Sequence, residues 1–247
     1  RILNVTAGFD EKDATSSKIV SDDYTQDLNK GVKGVKIGIP KEYFTSEIDS
    51  QVKKSIENSI KIYTELGAEI VDISLPHTEY ALAVYYTLTP SEVSSNLGRL
   101  DGIRYGHDRT KFGAEAKRRI MIGTYVLSAG YYDAYYLKAL KVRALIKRDF
   151  VEAFKKVDVI LAPVAPCLPL RFDEDLTDPM KLYLIDVLSV TANLAGIPAL
   201  ALPSGFSEEG LPIGMQLMGN YFEEKLLFKV ANAYEYETKL FERRPNL

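Results

Sequence analysis

The sequence predicts an α/β protein built on a central sheet, and two observations lead to this fold class. A strand pattern at residues 35–39, a helical pattern at 49–67 and a second strand pattern at 68–75 follow one another, which is typical of helices packed on a sheet. Two short apolar runs, at residues 197–202 and 213–217, flank the turn-like stretch SGFSEEGLP and predict a buried hairpin. With 247 residues and 46% hydrophobic content, the chain can bury a sizeable core as one large or two small domains.

The helix predicted at residues 49–67 has clear start and stop signals. Asp49 or Ser50 can cap its N-terminus, and Gly67 can take the left-handed conformation that ends many helices. Its apolar residues recur at spacings of three and four, as on one face of a helix: Val52, Ile56, Ile60 and Tyr63.

The next stretches predict further helices separated by a loop. Residues 80–97 are apolar and helical in pattern, but Pro90 should break or kink them, so one helix and two helices both stay open. Residues 98–113 are dense in glycine, arginine and aspartate and predict a loop that can contact a ligand or partner. Residues 114–156 predict two helices with a break at Gly130.

The last third of the chain predicts the centre of the sheet and two more helices. Residues 157–162 are aliphatic apart from Asp158 and predict a central strand buried on both faces. An acidic loop is expected at 171–179, a helix at 181–195 and an amphipathic helix at 223–237. Prolines at the margins of the hairpin runs should mark strand ends, since proline cannot donate to a ladder: Pro198, Pro203 and Pro212.

Composition excludes several classes of function. One cysteine, Cys167, excludes an intrachain disulfide and a cysteine-rich zinc site, and two histidines leave little for a metal centre. A net charge of −3 gives no global reason to bind nucleic acid. No apolar run approaches the roughly 20 residues that span a bilayer, and residues 1–13 lack a signal-peptide pattern. We therefore expect a cytoplasmic protein that contacts no membrane.

Local motifs offer no self-sufficient catalytic site, because GxSxG, CxxC, HExxH and phosphate-binding glycine loops are absent. His77 and His107 have no convincing serine or acid partner, so the sequence favours ordinary surface residues. Cys167 is expected to be a buried small residue and Ser204 a turn residue. A helical basic run could touch nucleic-acid phosphate, although a solvated helix face is favoured: Lys138, Lys141, Arg143, Lys147 and Arg148.

The hairpin carries a family resemblance. The order NLAGIPA, a strand ending in LPSGF, then GLPIGMQLMG resembles the C-terminal segment of the amidase signature family of serine amidohydrolases. The stretches SSNLGRLDGIRYG and KRRI followed by GYYDAYY are more specific, and they are similar to A subunits of glutamyl-tRNA(Gln) amidotransferases. The resemblance implies a mixed central sheet flanked by helices, with residues 1–247 forming the C-terminal part of a single amidase domain.

That resemblance also implies a function for the complete protein. It would hydrolyse glutamine and pass ammonia to a B subunit, which uses ATP and Mg²⁺ to amidate glutamate on tRNA(Gln), or aspartate on tRNA(Asn). A small C subunit completes the assembly, tRNA is contacted mainly through the partner, and no cofactor is expected in this chain. Two alternatives stay open, namely a stand-alone amidase acting on a small carboxamide and a non-catalytic binding or scaffold fragment.

This sequence departs from the family pattern in two ways. The family's machinery is a lysine, a bridging serine in a cis peptide, and a nucleophilic serine inside a glycine- and serine-rich stretch. None of the three is found here, so we expect residues 1–247 alone to be inactive. Between Tyr105 and Phe112 there are fewer residues than in the family's usual loop, so either the loop is shortened or some of its residues are missing from this sequence.

The resemblance assigns three residues to glutamine binding. Arg119 would take the α-carboxylate, Asp186 the α-ammonium, and Tyr85 would add a hydroxyl; guanidinium–carboxylate and carboxylate–ammonium pairs suit these roles. Without the family resemblance, the sequence would favour a surface charge for Arg119 and a core residue for Tyr85. Asp186 interrupts the apolar stretch YLIDVLSV, where an unpaired carboxylate is costly, so a partner or ligand is expected there.

Overall fold

The computed structural model describes residues 1–45, 47–103, 105–172, 182–183 and 185–244. Among these, the strands are β1 (Lys36–Pro40), β2 (Glu69–Ile73), β3 (Val159–Pro163), β4 (Ala199–Phe206) and β5 (Pro212–Gly219). The helices are α1 (Ile2–Thr6), α2 (Ser50–Glu65), α3 (Ala81–Leu97), α4 (Ala114–Val126), α5 (Lys138–Ala153), α6 (Val190–Ala195) and α7 (Glu224–Thr238). The structure therefore has strands, a hairpin and helices at the predicted positions, apart from the differences described below.

The five strands form one mixed sheet in the order β2-β1-β3-β5-β4. β1 is parallel to both β2 and β3, whereas β5 is antiparallel to β3 and β4. Strand β3 is central, and all five of its residues are buried. The predictions of a mixed central sheet, a central buried strand and a C-terminal hairpin are confirmed.

Each face of the sheet packs against its own apolar core, and β3 contributes side chains to both cores. Val159 and Leu161 pack on the face covered by α2 and α7, while Ile160 and Ala162 pack on the face covered by α3, α5 and α6. This division follows from the two-residue repeat of a strand, which sends successive side chains to opposite faces. The candidate site lies at the outer edge of the α3, α5 and α6 face.

Helix α2 begins and ends as its sequence predicts. The Asp49 carboxylate accepts hydrogen bonds from the backbone N–H groups of Gln51 at 2.7 Å and Val52 at 3.3 Å, which leaves fewer unpaired donors at the helix start. At the other end, Gly67 has a φ of +88°, a conformation that costs glycine little.

Pro90 does not divide α3, which runs as one helix from Ala81 to Leu97. Proline removes one N–H from the helix ladder, yet buried packing can hold such a helix together. Pro90 is buried, and the next turn gains a side-chain bond because the Ser91 hydroxyl donates to the Thr87 carbonyl at 2.7 Å. The question that the sequence left open is settled in favour of one helix.

The same proline lies where α3 and α4 approach each other most closely. A methyl group placed at Gly123 would lie 1.9 Å from the Pro90 carbonyl oxygen, so only a glycine fits there without moving a helix. Helix α4 ends at Val126, and the predicted break at Gly130 is present. A π-helical turn, Tyr132–Leu137, then leads into α5, and this turn was not predicted.

Pro203 does not end a strand, and that prediction is wrong. Strand β4 continues through it to Phe206, with a register shift between Pro203 and Gly205. β4 lies at the edge of the sheet, where a missing N–H costs no ladder bond, and a bulge further tolerates proline.

The continuous helix predicted at residues 181–195 is also wrong among its described residues. A 3₁₀ turn, Asp186–Leu188, precedes the short α6. The predicted acidic loop at 171–179 lies mostly outside the described residues. Within the part of the chain that the structure describes, no helix is both long and apolar enough to cross a membrane.

Candidate functional site

Three elements bring the predicted glutamine-binding residues into one region. Tyr85 lies on α3, Arg119 on α4 and Asp186 on the 3₁₀ turn Asp186–Leu188. The close approach of α3 and α4 at Gly123 places one turn of α4 beside the tyrosines of α3. The turn before α6 then packs on the same end of α3.

Tyr86, the residue after Tyr85, connects the two predicted charges. Its hydroxyl donates to Asp186 Oδ2 at 3.2 Å, and the Arg119 guanidinium carbon lies 5.6 Å from the centre of its ring. That second distance is within the range of a cation–π contact. Arg119 and Asp186 form no ion pair with each other among the described residues, so the tyrosine separates a cation from an anion.

Glu115 orients Arg119 from one turn earlier on α4. Glu115 Oε1 accepts from Arg119 Nε at 2.9 Å and from the Tyr183 hydroxyl at 3.0 Å. Arg118 also pairs with Glu115, at its other carboxylate oxygen. The hydrogen bond from Arg119 is the main cause that lowers the pKa of Glu115 and raises that of Arg119, so both stay charged.

A stacked tyrosine pair closes the network. The rings of Tyr86 and Tyr183 lie 3.9 Å apart at 26°, and each hydroxyl donates to a carboxylate, Asp186 for Tyr86 and Glu115 for Tyr183. The pKa of both tyrosines is raised mainly by desolvation and, to a smaller extent, by the carboxylate beside each hydroxyl, Asp186 for Tyr86 and Glu115 for Tyr183. The two phenols therefore remain protonated donors at neutral pH.

Parts of the charged groups are left available for a ligand. Arg119 uses Nε for Glu115, and its two terminal nitrogens donate no hydrogen bond within the described residues. Asp186 uses Oδ2 for Tyr86, and in the same part of the chain Oδ1 accepts none. Asp186 is half-buried and the Arg119 side chain is 26% exposed, so both can be reached from solvent. Arg119 thus offers hydrogen-bond donors to an anionic group, and Asp186 offers an acceptor to a cationic one.

Tyr85 lies beside this network and also lines a neighbouring pocket. Its ring meets the Tyr86 ring edge-on at 5.1 Å, and it lines a pocket of about 360 Å³ with Glu92, Arg143 and Asn193. The hydroxyl that reaches Asp186 belongs to Tyr86 instead. Ligand binding by Tyr85 stays a prediction.

Sequence reasoning missed Glu115, Tyr86 and Tyr183. One signal was available for Glu115, because it precedes Arg119 by four residues, a spacing at which opposite charges pair on a helix. No local signal marks Tyr86, which is 100 residues from its partner Asp186.

The other candidate residues lie away from this region. His77 does have an acid partner, contrary to expectation: its Nδ1 lies 2.9 Å from both carboxylate oxygens of Asp149, which is 72 residues away in sequence. Ser204 is not a turn residue but is buried in β4, where it bonds to Ser55 at 2.8 Å. Cys167 is half-buried.

The basic run on α5 forms an exposed face, as the sequence favoured, and all five of its residues are exposed: Lys138, Lys141, Arg143, Lys147 and Arg148. In addition, Arg143 Nε donates to the Leu194 carbonyl at 2.8 Å and so links α5 to α6. Among the described residues, no group of three or more histidine, cysteine, aspartate or glutamate side chains is arranged to hold a metal ion.

Comparison with known proteins identifies the family to which the chain is similar. A sequence profile of the family described as Amidase matches residues 1–228. The chain is 51% identical to the A subunit of glutamyl-tRNA(Gln) amidotransferase from Carboxydothermus hydrogenoformans, across 100% of this chain and 54% of that relative. It is 53% identical to the protein of the same name from Fusobacterium nucleatum, across 94% of this chain and 50% of that relative.

Two solved structures share the fold of this chain. The crystal structure of the A subunit of glutamyl-tRNA(Gln) amidotransferase from Thermotoga maritima matches with a TM-score of 0.76 and 38% identity, across 92% of this chain and 48% of that one. A bacterial aryl acylamidase of the amidase signature family shares the fold, with a TM-score of 0.77 at 22% identity, across 96% of this chain and 51% of that one.

The matches cover only part of each relative. The chain spans about half the length of the curated relatives it matches. The alignment with the Carboxydothermus protein has 261 positions, which exceeds the 247 residues of this chain by 14. This chain therefore lacks positions that the relative has, and their location between Tyr105 and Phe112 stays a prediction.

Proposed function

Because this chain belongs to the amidase family, we propose that it is the C-terminal part of the glutamine-hydrolysing A subunit of a tRNA-dependent amidotransferase. The relatives named as such subunits support the proposal. The observation that carries it is the pair of charges, Arg119 and Asp186, held apart by Tyr86. A free amino acid has opposite charges on one carbon, and this arrangement offers a matching anion and cation.

Glutamine would bind with its α-carboxylate on the two terminal nitrogens of Arg119 and its α-ammonium on Asp186. A guanidinium grips a carboxylate through two parallel hydrogen bonds, and hydrogen bonds between charged groups are about twice as strong as neutral ones. Tyr85 would add a hydroxyl at the edge of the site. The side-chain amide would then extend towards the catalytic groups.

The catalytic lysine and two serines of the family are proposed to lie outside these 247 residues, in the part of the relatives that this chain does not span. In the complete protein, the serine oxygen would bond to the amide carbon of glutamine and release ammonia. Water would then cleave the acyl–serine ester, giving glutamate and restoring the serine. The 247 residues alone would release no ammonia.

The ammonia would serve a partner protein. We assign to the B subunit the ATP- and Mg²⁺-dependent amidation of glutamate carried by tRNA(Gln) and of aspartate carried by tRNA(Asn), with a small C subunit in the assembly. Most contacts to tRNA would come from the partner. The complex would work in the cytoplasm and use no membrane.

Replacing one of two adjacent arginines tests the proposal. In the complete complex, Arg119→Ala should abolish most glutamine-dependent amidation but leave amidation with added ammonium salt unchanged, since only glutamine binding needs the guanidinium. Arg118→Ala is the matched control: Arg118 also pairs with Glu115, but only Arg119 lies over the Tyr86 ring. The control should retain both activities.

Three results would contradict the proposal. Equal loss of both activities in Arg119→Ala would make Arg119 structural. Activity on a small carboxamide without partner proteins would favour a stand-alone amidase. Absence of glutamine hydrolysis by the complete protein with its partners would favour a non-catalytic scaffold.

A further inference from the structure

Gln216 is a buried carboxamide whose position no catalytic assignment explains. It lies in β5, is 4% exposed, and is flanked along the strand by Met215 and Leu217, both fully buried. Its neighbours on the adjacent strands are Ala162 and Ala201, which are small enough to leave room for a longer side chain. A buried amide is costly unless it is hydrogen-bonded, so its partners indicate its role.

Both partners are backbone carbonyls from separate elements. Gln216 Nε2 donates to the Pro163 carbonyl at the end of β3 and to the Leu188 carbonyl at the end of the 3₁₀ turn Asp186–Leu188, each at 2.9 Å. The two hydrogens of one amide are thus both used. They join the candidate-site turn to the most buried strand of the sheet.

Within the described part of the chain, the other hydrogen bonds to the backbone carbonyls of this turn are local to it or come from the helix that follows. The Asp186 carbonyl accepts from the Ser189 amide at 3.0 Å and the Ser189 hydroxyl at 3.1 Å, which are bonds within the turn. The Leu188 carbonyl also accepts from the Thr191 hydroxyl, at a longer 3.4 Å and from the helix that follows. A 3₁₀ turn has poorer hydrogen-bond geometry than an α-helix, so its placement depends on such outside contacts.

We propose that Gln216 is a positioning residue for the glutamine site, which it serves by fixing the turn that carries Asp186. This inference rests on the proposed function. A carboxamide suits the task because its two N–H groups reach two carbonyls at once, which neither a carboxylate nor an apolar side chain can do. Without those donors, the turn moves and the Asp186 carboxylate leaves the Tyr86 hydroxyl.

Kinetics of the complete complex test the inference. Gln216→Met keeps the length and removes both donors; it should raise KM for glutamine about tenfold while kcat at saturating glutamine and the ammonium-dependent rate change by less than about twofold. Met218→Leu is the control, since Met218 is fully buried and two residues along the same strand. It should leave KM unchanged.

A double variant separates positioning from general damage. If Gln216 acts through Asp186, then Gln216→Met should add little to the KM of Asp186→Asn, because the two changes remove one interaction. Fully additive effects, or equal loss of ammonium-dependent activity, would overturn the inference.

Hydrogen exchange gives a readout that needs no activity. In Gln216→Met, the Ser189 amide of the turn should exchange faster than in the parent protein, and in Met218→Leu it should not. Unchanged exchange would refute the positioning role. If exchange quickens but Asp186→Asn leaves KM unchanged, the proposed function fails at this site while the structural role of Gln216 stands.

Discussion

Two tyrosine pairs whose rings are in contact, on opposite faces of the sheet, show how one residue type supports packing in one place and a polar site in another. Tyr63 and Tyr234 join α2 to α7, with ring centres 5.3 Å apart at 31°. Tyr86 and Tyr183 stack at 3.9 Å and 26° beside Arg119. The first pair is buried, at 0% and 1% exposure, whereas the second is half-buried.

The hydroxyl partners separate the two pairs. Tyr63 donates to the Val230 carbonyl at 3.3 Å, and Tyr234 donates to the Ser204 carbonyl at 2.9 Å and bonds to the Ser59 hydroxyl. These partners are neutral, and desolvation is the main cause of the raised pKa of both phenols. The hydroxyls of Tyr86 and Tyr183 instead donate to carboxylates close to the Arg119 guanidinium. The two pairs therefore differ in the charge of their hydroxyl partners rather than in the contact between their rings.

The largest expected effect comes from separating α3, which carries Tyr86, from α4, which carries Arg119. Gly123→Ala places a methyl group against the Pro90 carbonyl and should destabilise the complete protein by about 3 kcal/mol. Thermal unfolding measures this. Gly113→Ala, at the start of the same helix with nothing near its Cβ position, should cost only a few tenths of that energy. Equal losses would show that the helices are not closely packed at Gly123.

A smaller effect is expected at Asp186, and it should be confined to glutamine binding. Asp186→Asn keeps size and hydrogen-bonding capacity but removes the negative charge. It should raise KM for glutamine about 30-fold, equal to about 2 kcal/mol of lost binding, without a change in melting temperature. Steady-state kinetics of the complete complex measure it. An unchanged KM with a lower melting temperature would assign Asp186 to the scaffold.

The smallest expected effects contrast the two pairs directly. Tyr234→Phe removes a buried hydroxyl with two partners and should lower stability by about 1 kcal/mol without altering KM. Tyr86→Phe should instead raise KM for glutamine about threefold and change stability by less than about 0.5 kcal/mol, since its hydroxyl serves a half-buried carboxylate. If both variants altered the same quantity, the distinction between the pairs would not hold.

Much of the fold was visible in the sequence because its signals are local. The Asp49 cap, the apolar spacing of α2 and the aliphatic run of β3 each depend on neighbouring residues and were confirmed. Pro90 and Pro203 show where that reasoning stops. A proline's cost depends on the packing and ladder bonds around it, and these come from elements far away in sequence.

For the candidate site, the sequence by itself determined the residue types and, through resemblance, the positions of Arg119 and Asp186. It identified Asp186 because a carboxylate within an apolar stretch must find a partner. Only the tertiary structure decided that this partner is the Tyr86 hydroxyl, that Glu115 accepts from both Arg119 and Tyr183, and that Gln216 ties the turn to the sheet. The physical reason is that most of these bonds join residues 28 to 100 positions apart, and chain folding alone sets such distances.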